Sequence, residues 1–248
     1  MIRAVICDMG STLLKYVRPG NGTWREFEAP GIRGVYRYLV EQGHPIPSHE
    51  DEFVEAMFLR LAEGWQQATG GHINLRAVDW IAAGTAQHNL SLDEAALLSA
   101  TRHYAYALRE GVVATPGAAE TLAELRGRGL RTGLISNTIW PGELHTEDLA
   151  ALGILPHLEH LLFSGDFGVW KPRPEIFRHM LDQLGVGPEE AIFVGDSPRE
   201  DIVGAQGVGM RAVWMRTIEF PLGDVQPDAI ISALPELPPI LDRWQAAE

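Results

Sequence analysis

Residues 5–14 read VICDMGSTLL, and this stretch determines how the rest of the chain is interpreted. An apolar run ends in Asp8, and a polar segment that contains Gly10 and Thr12 follows it. A carboxylate at the tip of a buried strand loses its hydration, so packing alone does not account for it. We therefore expect residues 3–7 to form a buried strand and Asp8 to have a chemical role.

The composition is that of a globular protein with one large domain, or with one domain and a smaller insert. The chain has 248 residues, 46% of them hydrophobic, and a formal net charge of −13. A surface this negative repels nucleic acid and anionic lipid, so neither is expected as a partner. The single cysteine, Cys7, lies in an apolar run, which indicates packing rather than reactivity.

Targeting signals are not expected from the sequence. The segment MIRAVICDMG turns polar too quickly for a signal peptide. No stretch reaches the roughly 18 uncharged apolar residues that a membrane span requires. We expect a cytoplasmic protein without a membrane partner.

The hydrophobic pattern changes near the sequence TPG at 115–117. Before it, residues 22–112 are helical in character. An apolar side chain recurs there at every fourth position, at Phe53, Met57, Leu61 and Trp65. This recurrence predicts one apolar helix face, and Ser91, three residues before Glu94, has the spacing of a helix N-terminal cap.

Beyond TPG, short apolar strands alternate with helices of roughly 10 to 15 residues, which predicts a parallel sheet with crossover helices. The strands are expected within GLRTGLISN, EHLLFSGDFG, AIFVGD, MRAVWM and DAIIS. The predicted fold is α/β, with a doubly wound, mostly parallel, Rossmann-like sheet. Residues 1–16 and 113–248 are assigned to this core, and residues 17–112 to an inserted α-helical domain.

Parallel sheets of this kind place their chemistry at the carboxyl ends of the strands. The residues delivered there are Asp8, Ser136, Asn137, Lys171 and Asp196. Carboxylates together with a backbone carbonyl suit a hard cation that keeps several waters, as Mg²⁺ does. Asp201 begins the next predicted helix, where it either orients a metal-bound water or is an acid favoured by the helix dipole.

Lysine is scarce in this chain. Lys15 and Lys171 are its two lysines among 20 lysines and arginines together. Between Trp170 and Pro172, Lys171 has the character of a compact point charge, although a lone lysine is usually a solubilising surface residue. Ser136, in the same way, either binds at the site or caps a turn.

In their order along the chain, these residues resemble the haloacid dehalogenase (HAD) superfamily over nearly the whole sequence. DMGST, which begins at Asp8, is similar to that family's first motif, DxDx(T/V). GLISN with Ser136 resembles the second motif, KPRPEIF with Lys171 the third, and GDSPRED with Asp196 and Asp201 the fourth. The resemblance implies that residues 17–112 are the cap domain inserted after the first motif.

The resemblance also implies a Mg²⁺-dependent phosphohydrolase acting on a small phosphorylated metabolite. Asp8 is then the nucleophile that forms an aspartyl-phosphate, with Ser136 and Lys171 as further catalytic residues. The implied substrate-binding residues are Thr12, Ser136, Asn137 and Lys171. The implied metal ligands are Asp8, the Gly10 carbonyl, Asp196 and Asp201. A carboxylate is ionised at neutral pH and needs no deprotonation to attack.

Gly10 departs from the family pattern, in which a second aspartate at this place protonates the leaving group. Glycine keeps the backbone carbonyl but not the acid, and losing general acid–base catalysis lowers a rate by about 10²–10⁴-fold. Two alternatives therefore stay open: a 2-haloacid dehalogenase-like hydrolase, whose halide leaves without a proton, and a catalytically feeble binding or regulatory protein. A phosphonoacetaldehyde hydrolase needs a cap lysine, and residues 17–112 contain none.

Substrate selection is expected from the helical domain. Candidate residues near its helix breaks and near the first motif are Arg18, Arg25, His72 and His88. Ordinary surface or core roles compete with a binding role for each of them. No feature of the sequence sets the oligomeric state.

Overall fold

The computed structural model describes residues 1–17, 22–46, 49–69, 74–109 and 111–246. The chain divides into two compact units. The α/β unit comprises Met1–Lys15, Val113–Asn137 and His145–Glu248, and the helical unit comprises Tyr16–Val112 and Thr138–Leu144. By its contacts, Thr138–Leu144 thus belongs to the helical unit, although the sequence pattern places it in the α/β range.

A six-stranded parallel sheet forms the centre of the α/β unit. The strands of the described chain are β1 (Ala4–Cys7), β2 (Leu14–Tyr16), β3 (Val112–Ala114), β4 (Arg131–Ser136), β5 (His160–Phe163), β6 (Ala191–Gly195), β7 (Arg211–Met215) and β8 (Ala229–Ile231). The sheet has the order β5-β4-β1-β6-β7-β8, while β2 and β3 pair with each other. The predicted α/β class with a parallel sheet is confirmed.

The central strand β1 is buried on both faces. Ala4 and Ile6 point to the face that packs against Phe177 and Met180, and by the alternation of a strand Val5 and Cys7 point to the other face. All four β1 residues are buried. Helices must therefore cover both sides of the sheet, which explains why β1 reads as a continuous apolar run instead of an alternating one.

The helices complete the two units. Those of the helical unit are α1 (Trp24–Glu41), α2 (Glu50–Thr69), α3 (Ala77–Gln87) and α4 (Glu94–Leu108). Those that follow are α5 (Ala118–Gly127), α6 (Gly142–Ala151), α7 (Ser164–Phe167), α8 (Pro174–Leu184), α9 (Gly204–Gly207) and α10 (Leu237–Ala246). A π-helical segment, Pro198–Val203, precedes α9. Among the described residues, no helix is long and apolar enough to cross a membrane.

The apolar face predicted for α2 is only partly right. Phe53, Met57 and Leu61 are buried, but Trp65 is 38% exposed. A spacing of four residues advances 40° per step beyond a full turn of an ideal helix, so three steps rotate Trp65 about 120° away from Phe53. Trp65 instead lies beside Trp24 of α1, with 6.0 Å between the ring centroids.

The cap predicted at Ser91 is wrong. Asp93 is the N-cap of α4, and its carboxylate accepts the Ala96 N–H at 2.8 Å. Both residues belong to the types that favour this position. Asp93 is the residue directly before the first helical turn, so its carboxylate reaches the free N–H groups that Ser91 does not.

Candidate active site

Polar side chains follow the carboxyl ends of three adjacent strands. Asp8 comes directly after β1, Ser136 ends β4, and Asp196 comes directly after β6. Strand β1 lies between β4 and β6, with Cys7 paired to Leu134 on one side and to Val194 on the other. This register brings the three polar residues to one edge of the sheet, where strand order reverses and α/β proteins bind their ligands.

Lys171 supplies a buried positive charge at this edge. Its ammonium donates to Asp8 Oδ1 and to Asp201 Oδ1, each at 2.7 Å, and its side chain is 1% exposed. The ammonium also lies 5.1 Å from the centroid of the Phe193 ring, within cation–π range. The Lys171–Pro172 peptide bond is cis. Lys171 is therefore a buried positive charge between two carboxylates.

Asp201 is held on both sides by hydrogen bonds. Its Oδ1 accepts from Lys171, and its Oδ2 accepts the backbone N–H of Ser197 at 2.9 Å. The π-helical segment turns this carboxylate back over Gly195, where a side-chain carbon would overlap it. Glycine at position 195 is therefore a requirement of the close approach between β6 and Asp201.

The donor set fits a hard divalent cation. Asp8, Asp196 and Asp201 are all buried, and each offers a carboxylate oxygen within 4.8 Å of the others. Asp196 Oδ2 is buried and has no hydrogen-bond partner among the described residues. The backbone of Asp196 is fixed by Trp214, whose indole N–H donates to its carbonyl at 2.8 Å. An orphaned oxygen in an all-oxygen cluster is the arrangement that Mg²⁺ or Ca²⁺ prefers.

The electrostatics of the cluster point the same way. Burial raises the pKa of Asp8 to about 6, and the Lys171 ammonium limits this rise. Burial also raises the pKa of Asp196 to about 8, with a further contribution from the charge of Asp8. Burial disfavours the Lys171 ammonium, but Asp201 and Asp8 outweigh it and raise the pKa of Lys171. A cation near the carboxylates would favour their ionised forms.

Ser136 and Asn137 lie next to this cluster. Ser136 is buried, and among the described residues its hydroxyl makes one long hydrogen bond, of 3.4 Å to the Asn137 carbonyl, so it is available for another acceptor. The Asn137 side chain contacts the backbone of Lys171 and the carboxylate of Glu200.

Thr12 and Gly10 complete the residues predicted from the first motif. Thr12 is fully buried, and its hydroxyl has no hydrogen-bond partner within the described part of the chain. At Gly10, a side-chain carbon would meet no atom within 4 Å. The first carbon of a longer side chain at this position therefore meets no steric obstacle among the described residues.

Three residues to which the sequence assigned no role shape the site. Glu200 accepts a hydrogen bond from Asn137, Ser197 fixes Asp201, and Trp214 fixes Asp196. Glu200 and Ser197 lie inside GDSPRED, at positions that the motif leaves variable, and Trp214 lies on another strand. Proximity to Asp196 and Asp201 in the sequence was the available signal for Glu200 and Ser197, and Trp214 had no such signal.

The cap candidates have structural partners where the structure describes them. Arg25 forms an ion pair with Glu55 at the surface, and the His88 ring lies 5.0 Å from the Phe53 ring. Arg18 and His72 lie outside the described residues.

Comparison with known proteins gives a consistent set of similarities. Residues 2–209 match the family described as haloacid dehalogenase-like hydrolase. A glyceraldehyde 3-phosphate phosphatase of Pyrococcus abyssi is 37% identical over 87% of this chain and 82% of its own length. A phosphoserine phosphatase of Thermus thermophilus is 44% identical over 40% of this chain.

The matches cover different fractions of the relatives' own lengths. The match spans 39% of the Thermus thermophilus protein and 65% of the glyceraldehyde 3-phosphate phosphatase of Pyrococcus furiosus, which is 36% identical over 68% of this chain. The chain thus covers less than two thirds of the length of these two relatives.

Solved structures share the fold. A HAD phosphatase from Thermococcus onnurineus superposes with a TM-score of 0.61 and 26% identity, over 97% of this chain and 98% of that one. A 2-haloacid dehalogenase from Pseudomonas syringae superposes with a TM-score of 0.69 and 24% identity, over 98% of this chain and 100% of that one. The second similarity, at this identity, concerns the fold alone.

Proposed function

We propose that this chain, which belongs to the haloacid dehalogenase-like hydrolase family, hydrolyses the phosphate ester of a small metabolite with the help of a divalent cation. The observation that carries the proposal is the buried Lys171 ammonium between Asp8 and Asp201, with the unpaired Asp196 oxygen in the same cluster. Relatives named as phosphatases of small phosphorylated compounds support it.

In the proposed reaction, an Asp8 carboxylate oxygen attacks phosphorus. The new oxygen–phosphorus bond forms as the bond to the leaving group breaks, and the electron pair of that bond goes to the leaving oxygen. Water then attacks the phosphorus of the aspartyl-phosphate, which releases inorganic phosphate and restores the Asp8 carboxylate. Lys171 orients Asp8 by binding one of its oxygens, so the nucleophile is preorganised.

Phosphate binding requires additional positive charge. Three carboxylates face one ammonium in this cluster, and their excess negative charge repels a phosphate dianion. We propose Mg²⁺ held by Asp8, Asp196 and the Gly10 carbonyl, with Asp201 less direct because both of its oxygens already accept hydrogen bonds. When bound, the cation supplies charge that stabilises the transferring phosphoryl group.

The remaining predicted residues are proposed to act on the phosphoryl group or its surroundings. The Ser136 hydroxyl, which makes one long hydrogen bond within the described part of the chain, donates to a phosphoryl oxygen. The buried Thr12 supports the loop that carries Asp8. Residues 17–112 are proposed to act as the cap domain that the family resemblance implies.

Gly10 limits the leaving groups that the site handles well. It offers no acid to protonate the departing oxygen, so substrates whose leaving group is stable as an anion are favoured. This same feature supports a second candidate, a 2-haloacid dehalogenase-like hydrolase, because halide leaves without a proton. The oxygen cluster of Asp8, Asp196 and Asp201 favours the phosphatase, since halide displacement needs no cation.

The experiment is a substrate panel measured with and without Mg²⁺. It contains p-nitrophenyl phosphate, phosphoserine, glyceraldehyde 3-phosphate, phosphoglycolate and 2-chloropropionate. Mg²⁺-dependent release of phosphate that is lost in Asp196→Asn, and kept in the exposed surface variant Asp242→Asn, would support the proposal. Halide release without phosphate release would favour the second candidate, and no turnover of any substrate would favour a binding or regulatory protein.

A further inference from the structure

We propose that the Asn137 side chain is a positioning group for Lys171, and that it does not itself bind the substrate. The inference concerns the site of the proposed phosphatase, and its catalytic consequence rests on that function. Its structural part depends only on hydrogen bonds. The structural part and the catalytic part can therefore be refuted independently.

Asn137 holds the backbone of Lys171 at two points. Its Oδ1 accepts the Lys171 N–H at 2.8 Å, and its Nδ2 donates to the Lys171 carbonyl at 3.0 Å. One side-chain amide thus satisfies both backbone polar groups of one residue, as a neighbouring strand would. Because the Lys171 N–H must meet an acceptor, this pairing also fixes which end of the amide is oxygen.

The Asn137 side chain has no donor left for a phosphoryl oxygen. An amide NH₂ group has two hydrogens. One is given to the Lys171 carbonyl, and the other to Glu200 Oε2 at 3.2 Å. Phosphoryl oxygens accept hydrogen bonds, so a direct contact would require one of these bonds to break.

Lys171 needs such support because it lies outside the regular elements. It sits between α7 and α8, with no strand ladder or helix to hold its backbone. Its ammonium must nevertheless reach Asp8 and Asp201 at once, each at 2.7 Å. Asn137 ties this segment to the end of β4, and Glu200 ties Asn137 to the segment that carries Asp201.

The structural part can be tested without any substrate. Lys15 and Lys171 are the two lysines of the chain, so labelling with ¹⁵N-lysine gives a spectrum with two backbone amide signals. In Asn137→Ala, the Lys171 amide should exchange with solvent about 10-fold faster because its acceptor is lost. The Lys15 amide serves as the internal reference and should keep its exchange rate.

Glu200→Gln is the matched control for this measurement. Its amide oxygen can still accept from Asn137 Nδ2, so Lys171 should keep slow exchange. Unchanged exchange of the Lys171 amide in Asn137→Ala would overturn the proposal, whether or not the protein is a phosphatase.

The catalytic part is a double-mutant cycle on p-nitrophenyl phosphate with saturating Mg²⁺. A residue that acts through Lys171 should lower kcat about 10-fold in Asn137→Ala while KM stays within about twofold. In a Lys171→Met background, the same substitution should lower kcat by less than about twofold. A raised KM would show direct substrate binding, and an equal loss in both backgrounds would show that Asn137 acts independently of Lys171. Either result would overturn the proposal.

Two further outcomes are distinguishable. If the wild type hydrolyses no phosphate ester, the proposed function fails, while the exchange experiment still decides the positioning role. If Asn137→Ala does not fold, Asn137→Asp replaces it, since it keeps the acceptor and loses both donors. Unchanged kcat in that variant would count against the proposal.

Discussion

In the α/β unit the Lys171 side chain is 1% exposed between two buried carboxylates, whereas in the helical unit Arg33 and its partner Asp51 are 35% and 84% exposed. Both regions contain cation–carboxylate pairs at similar distances. An exposed pair contributes roughly 0–1 kcal/mol and requires no desolvation. A buried pair must offset the loss of hydration of both charges, so it is a poor way to stabilise a fold.

The difference distinguishes charges that solvent stabilises from charges that only neighbouring groups can stabilise. The ion pairs of the helical unit are explained by solvation of its surface. The buried charges at the end of β1 carry a desolvation penalty. Their cation is Lys171, one of the two lysines of the chain. The contrast therefore distinguishes the residues of the site from those of the surrounding structure.

The largest effect is expected for Asp8→Asn. An amide is not a nucleophile, so the rate with p-nitrophenyl phosphate at saturating Mg²⁺ should fall by at least about 10³-fold. Asp51→Asn, the same change at the exposed pair of the helical unit, should leave the rate unaltered. Full activity in Asp8→Asn would overturn the assignment of Asp8 as the nucleophile. The buried ion pair would then no longer mark a catalytic site.

Lys171→Met tests the energetic side of the contrast. Removing one partner leaves the Asp8 and Asp201 carboxylates buried and unpaired, so the free energy of unfolding should fall by about 3 kcal/mol. Arg33→Met breaks the contacts of an exposed guanidinium with Asp51 and Glu50, and should change the free energy of unfolding by less than about 1 kcal/mol. Urea denaturation of both variants beside the wild type measures the difference. Equal losses would mean that burial does not distinguish the two pairs.

At Gly10 the site lacks the second aspartate of the family's first motif. Without an acid at Gly10, the wild type should cleave p-nitrophenyl phosphate at least about 10²-fold faster than a simple alkyl phosphate. Gly10→Asp should reduce this ratio, because a protonated carboxyl assists poor leaving groups most. A side-chain carbon at position 10 would meet no described atom within 4 Å.

Gly10→Ala is the control, since it fills the same space without a carboxyl group and should keep the ratio. Initial rates over a series of leaving groups supply the measurement. A flat series in the wild type would show that another residue already transfers the proton.

The smallest effect is expected on the free energy of unfolding when either of two tightly packed glycines is replaced by alanine. Gly195→Ala would overlap the Asp201 carboxylate and should lower the free energy of unfolding by about 2 kcal/mol while displacing Asp201. Gly84→Ala in the helical unit meets the end of the Met57 side chain, and the gain in helix propensity of about 1 kcal/mol offsets part of the crowding. Thermal unfolding of both variants checks the order, which a larger loss in Gly84→Ala would reverse.

Much of the architecture followed from the sequence. Family membership and the α/β class with a parallel sheet are confirmed. These succeeded because apolar strands and amphipathic helices depend on local periodicity. One error came from small rotations that add up along a helix, because a spacing of four residues turns Trp65 out of the core. Another arose at Ser91 and Asp93, two nearby residues that both have side chains able to cap a helix.

The site was predicted less completely, because its residues meet across the fold. Lys171 is 163 residues from Asp8 and 30 from Asp201 in sequence, and it contacts both. The motifs named these residues, but not which of them pair. Nor did they reveal that both hydrogens of the Asn137 amide are already committed to Lys171 and Glu200.

By itself, the sequence determined which chemical groups stand at the ends of the strands, since an apolar run that stops at Asp8 or Asp196 is a local pattern. Only the tertiary structure decided how they combine. The order of the strands sets β1 between β4 and β6, and the packing of the segment between α7 and α8 places Lys171 between Asp8 and Asp201. The physical reason is that hydrogen bonds and buried charges depend on distances of a few ångströms, which packing sets and sequence spacing does not.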